Sequence, residues 1–428
     1  MMDLNIPRNH QPRIVIIGGG FAGLKLATLL RRKDYQIVLI DKHNYHQFLP
    51  LIYQVATGGL EPSAISFPFR KLFQKAKNVY FRQTEVINID PGKRIVTTKL
   101  GTLSYERLII ATGTVSNFFG NNVVQQNSQV MKSVPDALYL RNELLKNFEK
   151  AETAETPELA QSLLNVVITG GGPTGVELAG AIAEMKNRIL PKDYPERDFS
   201  IMNIYLVEAA QKLLGPFSEK SSAKAKKYLE KLGVKVLLNA KVNGYEDNIA
   251  KIEGVDDIPT SNFLWTAGVK GKIPIGLAED SIVKGNRIKV NHFNQLIGYN
   301  DIYAIGDVAF IEGDEKYPKG HPQLAQVAIQ QAKNLASNFK LGAKNKPLKP
   351  FDYRDLGIMA TIGRNKAVVE LHWFKFGGFF AWMVWMFVHL MSILGVKNKI
   401  MIFINWVYHY FTFDQSLRLI IKQEKEPD

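Results

Sequence analysis

The chain contains no cysteine among its 428 residues. This absence excludes structural disulfides, cysteine-ligated zinc and iron–sulfur clusters. It also excludes every enzyme that passes electrons through a pair of redox-active cysteines. The eight histidines show no HxxxH spacing or other metal-binding pattern, so we expect no metal site. Any redox chemistry must therefore depend on bound organic cofactors.

What the chain does have is two glycine-rich loops of the same kind. The first, GGGFAG at 18–23, follows the apolar run 14–17, and the second, GGGPTG at 170–175, follows the apolar run 166–168. Each pattern predicts a strand, a tight turn and a helix, in which the second glycine lets the backbone approach a pyrophosphate. Two such loops predict two dinucleotides. The expected contacts are Gly18, Gly20, Phe21, Ala22 and Gly23 in the first loop and Gly170, Gly172, Pro173, Thr174 and Gly175 in the second.

An acidic residue ends the strand predicted after each loop. The apolar run 37–40 ends at Asp41, and the run 204–207 ends at Glu208. An acid at this place accepts hydrogen bonds from an adenosine ribose. A 2′-phosphate would meet its negative charge, so the nicotinamide cofactor is predicted to be NADH rather than NADPH. The alternative is that either acid only ends a solvated strand.

Three later segments resemble signatures of flavoproteins that bind two dinucleotides. DIYAIGD at 301–307 resembles the flavin signature whose aspartate bonds the ribityl chain of FAD. LIIATG at 108–113 resembles the exit from the flavin domain to the NADH domain, and WTAG at 265–268 repeats that exit. The resemblance assigns FAD to the first loop and NADH to the second. It implies FAD contacts at Ala111, Thr112, Gly113, Gly306 and Asp307 and NADH contacts at Ala267 and Gly268.

Alternating apolar strands and amphipathic helices predict an α/β fold with two Rossmann-like dinucleotide-binding domains, one inserted in the other. We place the first part of the FAD-binding domain at 1–117 and the NADH-binding domain at 118–279. The second part of the FAD-binding domain follows at 280–345, and a C-terminal membrane-anchoring helical segment at 346–428.

The C-terminal segment is predicted from two long apolar runs. Residues 376–396 carry no formal charge, and a second apolar run covers 400–413 after Lys397 and Lys399. The first run is long enough to span a bilayer, which takes roughly 20 apolar residues, whereas the second is too short. We expect two helices lying in the interface of one leaflet, with a single transmembrane span or a buried dimer interface as alternatives. Aromatic residues typical of the headgroup boundary are Trp382, Trp385, Trp406, Tyr408 and Tyr410.

From about residue 13 to 419 the chain resembles the type II NADH dehydrogenases, single-subunit NADH:quinone oxidoreductases that do not pump protons. Besides the glycine loops, the resemblance rests on HQFLPLIYQVATG at 46–58, the family's segment beside the flavin ring, and on AQVAIQQ at 325–331, its quinone-site helix. The family often has glycine where Ala332 follows this helix pattern. The resemblance adds FAD contacts at Lys42, Gln54 and Thr57 and implies quinone contacts at Ala325, Gln326, Ala328 and Gln330.

The quinone helix also has a reading of its own. Gln326 and Gln330 are four residues apart and share one helical face, while Ala325 and Ala328 are small enough to let a planar ring approach. Two amides beside a flat slot suit a quinone carbonyl. The alternative is that these glutamines bond backbone groups or face solvent.

Reduction of a quinone to a quinol takes two protons, and two residues are candidates for supplying them. Glu177 follows the second loop, where the family has a glutamate near nicotinamide and flavin. Lys366 is the second candidate, because a buried lysine can titrate near neutral pH. For Lys366 an ordinary lysine in a strand turn is an equal alternative.

The net charge of +14, from 54 basic and 40 acidic residues, is dispersed over both loop-bearing halves. We therefore expect no nucleic-acid partner and attribute the charge to an anionic membrane surface. The N-terminus lacks a signal-peptide core, so the expected location is the cytoplasmic face of a bacterial plasma membrane, as a homodimer. Two other functions stay open: a soluble NADH-dependent flavin reductase of a ferredoxin, a rubredoxin or a small oxidant, and an NADH redox sensor.

Overall fold

A computed structural model describes residues 4–7, 9–413 and 417–421. The chain divides into two compact units. The first is built from residues 1–47, 66–115 and 269–355, and the second from 48–65, 116–268 and 356–428. The largest segment of the second unit is thus inserted between two segments of the first. The domain boundaries that we place after residues 117, 279 and 345 stay predictions.

Twenty-six strands are assigned in the described residues. In chain order they are β1 Arg13–Ile17, β2 Gln36–Asp41, β3 Tyr45–Gln47, β4 Ser66–Pro68, β5 Val79–Gln83, β6 Val86–Asp90, β7 Ile95–Thr98, β8 Gly101–Ser104, β9 Arg107–Ile110, β10 Thr114–Ser116, β11 Gln129–Val130, β12 Val166–Thr169, β13 Ile204–Glu208, β14 Val234–Leu238, β15 Val242–Glu246, β16 Ile249–Ile252, β17 Ile258–Pro259, β18 Asn262–Trp265, β19 Val269–Gly271, β20 Ile282–Val283, β21 Arg287–Val290, β22 Ile302–Ala304, β23 Ala309–Ile311, β24 Ile358–Thr361, β25 Ala367–Glu370 and β26 Lys375–Gly378.

Twelve α-helices are assigned in the same residues. They are α1 Phe21–Leu30, α2 Ile52–Ala56, α3 Phe69–Phe73, α4 Asn122–Asn127, α5 Val134–Glu152, α6 Pro157–Leu164, α7 Pro173–Arg188, α8 Leu190–Asp193, α9 Glu219–Lys231, α10 Ala325–Gly342, α11 Phe379–Ser392 and α12 Val396–Thr412.

The first unit is built on a parallel five-stranded sheet in the order β22-β9-β1-β2-β5. All five residues of β1 are buried, as expected for a parallel strand covered on both faces. Because β2 lies on one side of β1 and β9 on the other, the loop after β1 opens where the strand order reverses. That edge is where ligands bind in sheets of this type. Helix α10 packs against α1 in the same unit.

The second unit repeats this arrangement. Its five-stranded sheet has the order β11-β18-β12-β13-β14, all parallel, with β12 in the middle and the second glycine loop at its carboxyl end. A buried cluster packed on this sheet includes Val167, Val207, Phe263 and Trp265. Antiparallel strands β24, β25 and β26 form a separate small sheet that leads into α11. The sequence prediction of an α/β fold with two Rossmann-like domains is confirmed.

The C-terminal apolar runs form two helices of the second unit. The run 376–396 does not make one helix, because Gly378, with φ of 101°, precedes α11 at 379–392 and Gly395, with φ of 78°, precedes α12. Helix α12 follows after that break. Within the described part of the chain, no helix is both long and apolar enough to cross a bilayer. Two of the predicted interfacial aromatics are instead buried, since Trp385 is 1% and Trp406 8% exposed.

Candidate functional site

The first glycine loop has the backbone geometry of a pyrophosphate cradle. Gly18 has φ of 100°, and a Cβ there would lie 2.3 Å from the carbonyl oxygen of Ala111. A Cβ at Gly23 would lie 1.9 Å from the carbonyl oxygen of Gly18. At Gly20, by contrast, a Cβ would meet no described heavy atom within 4 Å. Gly18 and Gly23 therefore let neighbouring backbone segments pack closely, and Gly20 leaves open space at the N-terminus of α1.

The second loop repeats each of these features in the other unit. Gly170 has φ of 108°, and a Cβ there would lie 2.7 Å from the backbone nitrogen of Ala267. A Cβ at Gly175 would lie 2.0 Å from the carbonyl oxygen of Gly170, while one at Gly172 would meet no described heavy atom within 4 Å. Pro173 opens α7, where its missing N–H costs no helical bond. Each loop therefore has the open second position that a bound pyrophosphate requires.

The acidic residue that follows each loop accepts a hydrogen bond from the loop backbone. The N–H of Gly19 donates to Asp41 Oδ2 over 2.6 Å, and the N–H of Gly171 donates to Glu208 Oε2 over 2.6 Å. Burial raises the pKa of Asp41, and its bond from Gly19 opposes that rise. Carboxylate oxygens have two lone pairs each, so both acids keep the capacity to accept a ribose hydroxyl.

The flavin contacts predicted late in the sequence, at 306–307, lie beside the first loop. The N–H of Gly306 donates to the buried Gln331 Oε1 over 2.7 Å, and a Cβ at Gly306 would lie 3.2 Å from Cβ of Ala22. On the other side, the N–H of Ala111 donates to the carbonyl of Ile17 over 2.8 Å. Lys42 is exposed immediately after Asp41. The first unit thus brings its loop, Asp41, residues 111–113 and residues 306–307 to one edge of its sheet.

His46 is a residue of this site to which we assign no role from sequence. Its Nδ1 lies 2.9 Å from the carbonyl oxygen of Gly19, its ring meets Phe21 edge to face at 5.2 Å, and it is 3% exposed. Burial lowers its pKa to about 4. A neutral imidazole therefore holds the middle glycine of the loop. The sequence signal was its place at the start of the flavin-segment motif.

The predicted quinone helix α10 has its glutamines in different surroundings. Gln330 Nε2 donates to the carbonyl of Arg354 over 2.8 Å, and Gln330 Oε1 accepts the Arg354 N–H over 3.0 Å. Ala328 is buried, and a Cβ at Gly306 would lie 3.5 Å from its Cβ. Ala325 and Gln326 are half-buried at the start of the helix. The bonds of Gln330 match the alternative reading for that residue, and the quinone assignment of all four residues stays a prediction.

Gln54 and Thr57, predicted beside the flavin, belong to the second unit. Gln54 Nε2 donates to the hydroxyl of Tyr53 over 2.9 Å, and Gln54 Oε1 accepts the indole N–H of Trp406 over 2.9 Å. The Thr57 hydroxyl donates to the carbonyl of Tyr53 over 3.0 Å. Both side chains therefore have partners inside this unit, and their contact with FAD stays a prediction.

Glu177 lies in the first turns of α7 and is 8% exposed. Burial raises its pKa to about 8, and the Thr361 N–H, at 3.4 Å from Oε1, opposes that rise. The indole of Trp385 also opposes the rise, although its Nε1 makes no hydrogen bond of ordinary geometry to any described residue. Glu177 therefore holds its proton at neutral pH in an apolar setting. One turn further along α7, a Cβ added at Gly180 would lie 2.8 Å from the backbone nitrogen of Gly363, so the helix and the turn after β24 are in close contact there.

Lys366 ends the turn between β24 and β25. Its Nζ lies 5.4 Å from the ring centroid of Tyr228, and its backbone carbonyl accepts the N–H of Ile362. Its charge acts on Glu184, whose pKa burial raises. Half-buried on a turn, Lys366 has the surroundings of the structural alternative, and its proton-transfer role stays a prediction.

The predicted NADH contacts of the second unit also lie at one edge. Gly268 has φ of 67°, and a Cβ there would lie 2.5 Å from the ring of Phe119. The backbone of Ala267 meets Gly170, and Thr174 is exposed at the start of α7. Three buried residues lie near Glu177 or Gln54 in a way that sequence reasoning did not predict: Tyr53, which had no role of its own, and Trp385 and Trp406, which were expected at the membrane interface.

Comparisons with known proteins identify the family. Residues 12–332 match the pyridine nucleotide-disulphide oxidoreductases, and residues 356–412 match the NDH2 C-terminal domain. The chain is 36% identical to the type II NADH:quinone oxidoreductase Ndh of Mycobacterium tuberculosis, over 98% of this chain and 92% of that protein. It is 30% identical to the mitochondrial internal alternative NAD(P)H-ubiquinone oxidoreductase A1 of Solanum tuberosum, over 93% and 86%.

Solved structures share the fold. The structure of NDH2 from Plasmodium falciparum in complex with NADH superposes with a TM-score of 0.88 at 22% identity, over 96% of this chain and 100% of that chain. The sulfide:quinone oxidoreductase of Aquifex aeolicus superposes with a TM-score of 0.72 at 21% identity, over 94% and 95%. On the sequence matches, the chain belongs to the type II NADH:quinone oxidoreductase family and is an FAD- and NADH-dependent oxidoreductase.

Proposed function

We propose that the chain oxidises NADH and reduces a membrane quinone, with FAD at the first loop and NADH at the second, and that it pumps no protons. The observation that supports this most is the repeated cradle, in which Gly20 and Gly172 leave open space and Asp41 and Glu208 hold the neighbouring glycine. The absence of pumping is taken over from the family resemblance. When bound, FAD supplies the two-electron chemistry that links the two substrates.

The protein's own part is to position the ligands and to manage protons. The N-terminus of α1 and that of α7 each face a loop, where the helix dipole favours a bound pyrophosphate. Asp41 and Glu208 accept the ribose hydroxyls and repel a 2′-phosphate. Glu177, with its pKa raised to about 8, is protonated at neutral pH and close to the value at which a general acid works best. We assign it one of the two protons that a quinone takes up.

The C-terminal helices support a proposed contact with the membrane surface. Large apolar side chains remain exposed on both, including Phe380 at 78%, Phe387 at 64% and Phe411 at 76%. Lys397 and Lys399 lie at the start of α12, where they suit anionic headgroups. Apolar patches of this kind mark membrane or protein contacts. We propose docking on the cytoplasmic face of a bacterial plasma membrane as a homodimer, and quinone contacts at residues 325, 326, 328 and 330.

The function is tested with purified, FAD-loaded protein, NADH and a short-tailed quinone. We expect quinone-dependent oxidation of NADH that Glu177→Gln slows at neutral pH. The lumen of proteoliposomes is followed with a trapped pH dye, and we expect no proton transfer across the bilayer, only the uptake of one proton per NADH from the outer medium that quinol formation requires. Flavin reduction by NADH without quinone turnover would replace this proposal with a soluble reductase or a sensor.

Membrane docking is tested by surface substitution, because removing α11 would also remove the buried Trp385. The double variant Phe380→Glu, Phe411→Glu should lose sedimentation with anionic vesicles. The double variant Tyr139→Glu, Leu159→Glu adds the same two charges at sites 57% and 47% exposed on α5 and α6, and as the matched control it should still sediment. Equal binding of both variants would contradict docking through these helices. The oligomeric state is measured by light scattering in detergent.

A further inference from the structure

An exposed phenylalanine lies beside the second glycine loop, inside the second unit. Phe119, in the short segment between β10 and α4, is 69% exposed. Its ring carbon Cζ lies 2.5 Å from the position that a Cβ at Gly268 would take. Gly268 follows Ala267, whose backbone nitrogen lies 2.7 Å from the position of a Cβ at Gly170. The ring therefore borders the turn that closes on the loop.

The backbone of Phe119 is held in a conformation that phenylalanine rarely adopts. Its φ is 52°, in the left-handed region that costs free energy for residues other than glycine. Asn117 supports this conformation, because its Oδ1 accepts the Phe119 N–H over 3.0 Å. The Asn117 N–H donates to the carbonyl of Gly268 over 3.3 Å, and its carbonyl accepts the indole N–H of Trp265 over 2.9 Å. The strained turn is thus fastened to the end of β18.

Packing of the Phe119 ring does not account for this strain. Trp265 is buried and already stacks on Phe118, with ring centroids 5.6 Å apart. The Phe119 centroid lies 6.5 Å from that of Trp265, with the two rings tilted by 60°. A ring that is mostly exposed recovers little of the free energy that full burial of a phenylalanine supplies. Backbone strain that persists without such burial is typical of ligand-binding sites.

The topology of the sheet determines which half of a dinucleotide reaches this ring. In the order β11-β18-β12-β13-β14, β12 leads into the loop, β13 lies on one side of it and β18 on the other. A dinucleotide lies across this point of the sheet, with its pyrophosphate at the helix N-terminus. Glu208, at the end of β13, takes the adenosine ribose in our assignment. Because the two halves extend in opposite directions from the pyrophosphate, the nicotinamide half lies over the end of β18, beside Phe119.

We propose that Phe119 is a binding residue for the nicotinamide ring of NADH, which packs against the exposed phenyl ring. The proposal rests on the proposed placement of NADH at the second loop. It adds a residue that positions the reacting end of this substrate. A flat nicotinamide ring suits an aromatic partner, and the absence of a Cβ at Gly268 leaves the space that the Phe119 ring occupies. Loss of the phenyl ring should therefore weaken ligands that contain nicotinamide and spare those that lack it.

The test compares the binding of two ligands to the FAD-loaded, full-length protein by titration calorimetry. NAD⁺ has both halves of the dinucleotide and cannot reduce oxidised flavin, whereas ADP-ribose lacks the nicotinamide ring. Phe119→Ala should raise the Kd of NAD⁺ by about threefold to tenfold and leave that of ADP-ribose unchanged. Phe119→Tyr, which keeps the ring, should retain the affinity for NAD⁺. Phe374→Ala is the matched control, because Phe374 is also 69% exposed in the same unit, and it should bind both ligands normally.

Phe119→Asn provides a second variant in case alanine disturbs the turn, because asparagine adopts a positive φ more readily. It should weaken NAD⁺ by a similar factor without lowering Tm. In stopped-flow kinetics, the NADH concentration that gives half the maximal rate of flavin reduction should rise by the same factor in both variants. Equal weakening of NAD⁺ and ADP-ribose, or an unchanged affinity for NAD⁺, would overturn the proposal.

Gly172→Ala separates this proposal from the placement of NADH on which it rests. Its Cβ would meet no described heavy atom within 4 Å at a φ of −72°, so folding should be preserved while the pyrophosphate position is filled. We expect this variant to lose both NAD⁺ and ADP-ribose. If it binds both ligands normally, NADH does not lie at the second loop, and the role of Phe119 is rejected together with that placement.

Discussion

Gly171 and Glu208 are joined by a hydrogen bond of 2.6 Å from the backbone N–H of the glycine to Oε2 of the glutamate. The other oxygen, Oε1, accepts the N–H of Ala210 over 2.8 Å. The carboxylate is therefore held in place by the loop before any ribose arrives. Asp41 has the same relation to Gly19 in the first unit.

Glu208→Gln should lower the preference for NADH over NADPH about tenfold or more, since charged hydrogen bonds contribute roughly 1.5 to 3 kcal/mol. The amide removes both the negative charge that repels a 2′-phosphate and one acceptor. The measurement is the ratio of kcat/KM for the two nucleotides. Glu246→Gln, at an exposed site in the same unit, is the control. An unchanged ratio in Glu208→Gln would exclude Glu208 from ribose recognition.

Alanine should affect the first and second glycines of the first loop, Gly18 and Gly20, differently. Gly18→Ala forces a Cβ to within 2.3 Å of a carbonyl at a φ of 100°, and should destabilise the fold by about 2 kcal/mol or more. Gly20→Ala places its Cβ in open space at a φ of −66°, so folding should be preserved. It should nevertheless lose bound flavin, because the methyl group fills the pyrophosphate position. Urea unfolding and flavin absorbance separate the two effects, and full flavin content in Gly20→Ala would contradict the cradle.

Glu177 should make the protein less stable as the pH rises. Its pKa is raised from 4.5 to about 8, so the folded chain binds this proton more tightly than the unfolded chain. The stability that this residue contributes is fully present below pH 4.5 and is lost as the pH rises through 8. Glu177→Gln should flatten this part of the profile of Tm against pH and raise Tm on its alkaline side. Glu253→Gln, an exposed residue, should not, and a profile unchanged by Glu177→Gln would show that its pKa is ordinary.

One buried histidine, His46, and one half-buried histidine, His389, should make the two units sensitive to acid. Burial lowers the pKa of His46 in the first unit and of His389 in the second from 6.5 to about 4. Their stabilisation is present above pH 6.5 and is lost as the pH falls through 4, because the unfolded chain takes up the protons first. His46→Gln should reduce the acid loss of hydrogen-exchange protection in the first unit only. The exposed His10→Gln is the control, and equal acid sensitivity of both variants would contradict a titration at His46.

The two glutamines of α10 should differ in their effect on quinone affinity. Both polar ends of the Gln330 amide are held by the Arg354 backbone, so Gln330→Ala should cost roughly 1 to 2 kcal/mol of stability and change the KM for quinone little. Gln326→Ala should raise the KM for quinone severalfold. The measurements are urea unfolding and steady-state kinetics with a short-tailed quinone. A larger KM effect at Gln330 would show that its amide leaves Arg354 when quinone binds.

The glycine loops could be read from sequence because their roles are local. Gly18 to Gly23 and Gly170 to Gly175 each contain the turn, the open position and the helix start within six residues, and Asp41 and Glu208 lie one strand away. The helix boundaries near the C-terminus were harder to predict. The apolar run that begins at residue 376 is uniform in hydropathy, so it did not indicate that a strand ends at Gly378 and that α11 begins after it.

Contacts between distant segments could not be predicted in this way. Trp406 and Gln54 are 352 residues apart, and nothing in either segment indicates the other. Gln330 showed the right spacing for a ligand, yet its partner, Arg354, lies in a segment without a motif. Residues 48–65 precede the inserted segment in the chain and still pack with the second unit. Packing between segments that are distant in the sequence determines these contacts, and a single sequence contains no local pattern that indicates them.

The close approach of Gly180 to Gly363 fixes a length inside the second unit. With 2.8 Å between the position of a Cβ on α7 and the backbone nitrogen of the turn, no side chain separates the helix that carries Glu177 from the small sheet that leads into α11. The depth of that carboxyl below the exposed phenylalanines of α11 is therefore set by backbone against backbone. The second unit therefore keeps a constant distance between the exposed face of α11 and the proton on Glu177.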